Sequence, residues 1–203
     1  MLTGTFLTLV SRYTDDKEQA NDLWLELFSH YAEPGRHYHT ISHLENMAAE
    51  LTPLRPQIDD WDAVLFALFY HDVIYKPTSL QNEAESARFA RQRLQAIGFP
   101  ADRIEACAAM ILATKEHLPA SGDTAFLLDA DMAVLGAAPD VYRQYADGVR
   151  EEYSVFPDLL YNTGRKKILR HFLSMDRIFS TEYFYDRFER RARLNIQDEI
   201  DQL

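Results

Sequence analysis

Cysteine occurs once in the 203 residues, at Cys107, which excludes an internal disulfide and fits a reducing, cytoplasmic compartment. Long hydrophobic runs are missing too. The longest, Ala63 to Tyr70, is far too short for a bilayer and ends in a histidine and an aspartate. The opening stretch, MLTGTFLTLV, has no basic lead and no small-residue cleavage pattern, so it reads as mature protein. Basic charge is scarce: 21 Lys and Arg stand against 32 Asp and Glu, a formal net charge of -11. Such a surface repels phosphate polymers and anionic membranes, so neither a nucleic-acid polymer nor a membrane is expected as a partner. Any anionic ligand would need a concentrated positive site.

Glycine and proline number only 7 and 8, and they fall mostly between segments with helical spacing of apolar residues. That pattern predicts an all-α protein. A first apolar face, Trp24, Leu25, Leu27, Phe28 and Tyr31, is closed by Glu33-Pro34-Gly35. A second helix is expected after Thr40 or Ser42, ending near Pro53, and a third from Asp59 or Asp60, where carboxylates suit a helix N-terminus. Another runs from about Asn82 to the Gly98-Phe99-Pro100 stop. Helices are further expected at Ala101 to Thr114, Thr124 to Leu135, Asp140 to Tyr153, Pro157 to Met175, and Thr181 onward. With no repeat and no linker, the expectation is one compact multi-helix bundle over 1–203. Its metal-site helices would lie within about 36–135, with the helices of 140–203 packed on them.

Five of the seven histidines, His37, His39, His43, His71 and His117, lie in the central stretch. Three contexts stand out: Arg36-His37-Tyr38-His39-Thr40-Ile41-Ser42-His43, the doublet His71-Asp72 ending an apolar run, and Leu127-Leu128-Asp129-Ala130-Asp131-Met132. His39 and His43 share a face if the helix reaches back that far. A carboxylate or imidazole drawn into a core needs a partner, because an unpaired buried charge costs several kcal/mol or is neutralised. A divalent cation held by groups from all three contexts would be such a partner. Either His39 or His43, and either Asp129 or Asp131, could serve.

A histidine, a later His-Asp doublet and a distant aspartate, all on helices, resemble the HD superfamily of metal-dependent phosphohydrolases. The segments RHYHTISHLENM, FYHDVIY, NEAESA, ATKEH, DADM followed by LG, YNTGRKKIL and ARLNIQDEI resemble a stand-alone bacterial group within it. The resemblance implies an HD-type helical fold and a ligand set of His43, His71, Asp72 and Asp131. A nitrogen and oxygen set of this kind suits one ion of Mn²⁺, Fe²⁺, Co²⁺ or Ni²⁺, with Mg²⁺ less natural beside imidazole.

The reaction so implied is hydrolysis of a phosphate ester or anhydride in a small molecule, nucleotides among the candidates, by a metal-activated water. Two aspartates cancel the charge of the ion, so the phosphate would need cations from the protein. Arg36, Lys115 and Arg165, together with His39, are the expected substrate-binding residues, and Lys76 is expected as a catalytic cation. Glu83 is expected to orient water or act as a base, and His117 to meet phosphate or protonate the leaving group. A non-catalytic metal- or ligand-binding regulatory module is the first alternative. A di-iron oxygenase is the second, disfavoured because His117 is the only histidine between the doublet and Asp131. Oligomeric state stays open.

Overall fold

The computed structural model describes residues 2–203, and these form ten α-helices and two short 3-10 segments, with no strand among the described residues. The all-α expectation holds. No helix among the described residues is long and apolar enough to cross a membrane. The chain divides into two compact units, residues 1–118 and 119–203. The boundary falls inside the stretch expected to carry the metal site, leaving Asp131 on the second unit.

The first unit holds α1 (Leu2–Val10), α2 (Lys17–Tyr31), α3 (Ile41–Leu51), α4 (Trp61–Tyr70), α5 (Asn82–Ala96) and α6 (Ala101–Ala113). Five of these follow the sequence expectation closely. The exception is α1, because the opening apolar stretch was not read as a helix. Its Leu2, Phe6, Leu9 and Val10 recur at three- to four-residue spacing and are buried, and the helix packs on α2.

α4 is the axis of this unit. Residues 63–70 are all buried, and the helix contacts α3, α5 and α6. An all-round apolar helix is stable only when enclosed, and each fully buried Leu or Phe of it contributes about 1.5–3 kcal/mol. Its start is fixed by the Asp60 carboxylate, which accepts from Ala63 N–H at 3.0 Å and from Arg103 Nε at 2.6 Å.

The second unit holds α7 (Gly122–Met132), α8 (Pro139–Glu152), α9 (Asp158–Ser174) and α10 (Glu182–Gln202). Where one helix was expected to Leu135, α7 stops at Met132 and the chain tightens into the 3-10 segment Ala133–Gly136. That segment lies against α10 in close approach. A Cβ built on Gly136 would meet the Phe188 Cβ at 2.5 Å and its carbonyl oxygen at 2.7 Å. Asn195 Nδ2 donates to the carbonyls of Leu135 and Ala137 on either side, at 2.8 and 3.0 Å. Because the obstacle includes backbone, Gly136→Ala is expected to cost about 1–3 kcal/mol by overpacking, read as a lower midpoint in chemical denaturation. Gly164→Ala, whose Cβ meets nothing within 4 Å, is the control expected to cause no loss.

Candidate metal centre

The site in the first unit begins with the end of α4. The last four carbonyls of a helix lack partners within it and must find them elsewhere. Here each one does. Ala67 accepts from His71 N–H at 2.9 Å, Leu68 from the His71 ring Nδ1 at 2.9 Å, Phe69 from Tyr31 Oη at 3.1 Å, and Tyr70 from Val73 N–H at 3.2 Å. Beyond the helix, Arg36 takes the carbonyls of Asp72 and Val73, at 2.8 and 3.0 Å. Ser86 Oγ takes that of Ile74 at 3.2 Å, and Asn82 Nδ2 that of Lys76 at 3.0 Å. The turn carrying His71-Asp72 is thus held carbonyl by carbonyl.

One of those bonds decides the chemistry. A carbonyl only accepts, so His71 Nδ1 carries the proton, and in the neutral ring Nε2 is left with its lone pair outward. His71 is 1% exposed. Its Nε2 lies 3.3 Å from His43 Nε2 and 3.1 Å from the Asp72 Oδ2. Around His71 Nε2 a carboxylate oxygen and a second imidazole nitrogen gather in a buried place, an arrangement able to hold a cation. The spacing suits a metal ion. Two donors about 2.1 Å from one ion, at angles between 90° and tetrahedral, sit about 3.0–3.4 Å apart. The site also lies at the C-terminal end of α4, where the helix dipole favours positive charge.

His43 arrives from the first turn of α3 and is 3% exposed. The Tyr38 ring packs on it with centroids 4.9 Å apart. His39 lies just before that helix, half-buried, with Nε2 3.8 Å from Asp72 Oδ2 and its ring tilted against Tyr75 at 4.2 Å. Within this unit the structure therefore brings together His39, His43, His71 and Asp72. Tyr38 and Tyr75, the aromatic walls of this group, were not singled out from sequence. The only signal for them was their position inside the two histidine-bearing segments.

The other expected residues have other surroundings. Lys76 is exposed, with its backbone N–H on Asn82 Oδ1 at 3.1 Å. Glu83 lies half-buried in the first turn of α5, where a carboxylate suits the dipole. Lys115 is exposed and donates to the Leu80 carbonyl at 2.8 Å. His117 follows α6 at φ 47°, a left-handed conformation usually left to glycine or asparagine. Arg36 spends its guanidinium on backbone carbonyls. Arg165, in the second unit, is buried and gives Nε to Glu199 at 2.7 Å, with Nη1 on Tyr145 Oη at 3.1 Å.

The two aspartates of α7 differ in their surroundings. Asp129 is fully buried, and its two oxygens accept from Ser180 N–H at 2.9 Å and from Thr181 N–H and Oγ1, both at 2.7 Å. It ties α7 to the start of α10. Asp131 lies two residues on, half-buried and on another side of the helix.

No family model, curated protein or solved structure matches this chain.

Burial raises the pKa of Asp129, against the lowering by its bonds to Thr181 and Ser180. A carboxyl with a raised folded-state pKa favours the fold in its protonated form, a contribution lost as pH rises through that pKa. Wild-type stability relative to Asp129→Asn is therefore expected to fall as pH rises above the ordinary carboxylate range, measured by urea denaturation at several pH values. Asp129→Ala, which leaves the three donors unmet, is expected to cost about 1–3 kcal/mol or more at each pH.

Proposed function

We propose that this protein is a metal-dependent phosphohydrolase of the HD type, acting on a phosphate ester or anhydride of a small molecule. The observation that carries the reading is the position of His71 Nε2, 3.3 Å from His43 Nε2 and 3.1 Å from Asp72 Oδ2, with the His71 tautomer fixed by the Leu68 carbonyl.

Asp131 is proposed as a further ligand because the HD resemblance implies it. The full engagement of Asp129 by Ser180 and Thr181 supports the same choice. Two imidazoles and two carboxylates favour Mn²⁺, Fe²⁺, Co²⁺ or Ni²⁺. When bound, such an ion supplies Lewis-acid polarisation of a phosphoryl oxygen and activation of water near neutral pH.

The protein's own side chains would do the rest. His43 and His71, both buried, exclude bulk water from one side of the site. His39 reaches toward Asp72 and would orient that carboxylate. Lys76, exposed four residues beyond Asp72 with its backbone held by Asn82, would offer its ammonium to a phosphate oxygen. Glu83 would hold a water proton, and His117 would donate one to the leaving oxygen.

Metal content tests this reading. Purified protein dialysed against Mn²⁺, Co²⁺ or Ni²⁺ is expected to retain about one ion per chain. It is also expected to release phosphate from at least one small ester or anhydride in a metal-supplemented screen. His71→Ala and Asp72→Ala are each expected to abolish both, with helical circular dichroism retained. Stoichiometric metal in either variant would contradict the site.

A further inference from the structure

Arg36 was expected at the phosphate, yet every bond it makes goes to backbone. Nη1 donates to the carbonyls of His39, at 3.1 Å, and Asp72, at 2.8 Å, while Nη2 donates to Val73 at 3.0 Å. The side chain is almost wholly enclosed, and Tyr31 and Tyr75 lie beside the guanidinium with ring centroids at 5.0 and 5.5 Å. Nε is buried with no hydrogen-bond partner, and the Glu33 carboxylate stands 3.8 Å away. Leaving one donor unmet is costly, so the side chain is held where it is by the other contacts.

Those contacts join two segments far apart in sequence. His39 begins the approach to α3 and so places His43, whereas Asp72 and Val73 belong to the turn that places His71 and the Asp72 carboxylate. One planar fork with fixed directions bridges both, a task suited to arginine rather than to a freely rotating ammonium. We infer that Arg36 is a positioning residue that sets the distance between His43 and the His71-Asp72 doublet, and through it the affinity and coordination of the metal. This inference rests on the metal reading above. It gives Arg36 a place outside the reacting atoms, with its charge also offsetting the carbonyl ends that crowd the turn.

Co²⁺ is the probe, because its visible absorption reports coordination as well as occupancy. Wild type, Arg36→Lys and Arg36→Ala are titrated with Co²⁺ well below the unfolding midpoint of each metal-free variant, and amide exchange is followed in the metal-free proteins. Arg36→Ala is expected to bind Co²⁺ about 10- to 100-fold more weakly, the usual effect of removing a group that orients ligands, with an altered absorption band. Its amide exchange is expected to quicken around 39–43 and 72–74 while α6 keeps its protection. Arg36→Lys is expected to recover part of the affinity, since an ammonium can satisfy some of the carbonyls. If Arg36→Ala does not fold, Arg36→Lys carries the test, with weaker binding and an altered band expected.

Wild-type affinity and an unchanged spectrum in the folded variants would overturn the positioning role and leave the metal site standing. Failure of the wild type itself to bind Co²⁺ would overturn the metal reading, and this inference with it.

Discussion

The bond from His71 Nδ1 to the Leu68 carbonyl is the constraint on which the site depends. It exists because α4 ends in a buried place, where an unmet carbonyl would be costly. By satisfying that carbonyl, His71 commits one nitrogen to structure and turns the other outward as a base. The same ring thereby finishes a helix and faces His43 and Asp72, and its orientation follows from main-chain need rather than from a ligand.

This explains why the enclosed apolar helix α4 leads directly to a cluster of imidazoles and a carboxylate. α4 is enclosed by α3, α5 and α6, so its end is a fixed point against which α3 can present His43. The 3.3 Å between the two Nε2 atoms results from elements held on both sides. Arg36, Tyr31, Ser86 and Asn82 each take a carbonyl from the end of α4 or the turn beyond it, so the turn has little freedom to relax when a cation arrives or leaves. The proposed site is thus ordered by the protein's own bonds.

Much of the helical order was legible because the breakers are sharp: Pro34-Gly35, Gly98 to Pro100 and the Asp60 cap each coincide with an end. α1 carries the helical spacing in Leu2, Phe6, Leu9 and Val10, but the segment is short and its exposed face is only threonine and glycine, a weak contrast. The 3-10 tightening at Ala133–Gly136 was hidden because its cause, the close approach of Phe188, lies more than fifty residues away. His43, His71 and Asp72 could be named from motif and spacing. The engagements of Arg36 and Arg165 could not, since a guanidinium meets a phosphate and a row of carbonyls with the same donors, and only the fold says which is near. From the residues alone Asp129 and Asp131 stood as alternatives, and only the resemblance favoured Asp131. In the structure Asp129 is met by three donors at the start of α10.

The tautomer of His71 offers the most direct test of the central claim. In protein labelled with ¹⁵N at histidine and loaded with ¹¹³Cd²⁺, a diamagnetic stand-in for the natural ion, the metal nucleus couples directly to the nitrogen it binds. The account predicts coupling to Nε2 of both His43 and His71, with His71 Nδ1 still protonated and protected from exchange by Leu68. Coupling to His71 Nδ1, or a His71 ring whose nitrogen shifts do not change when cadmium is added, would contradict it.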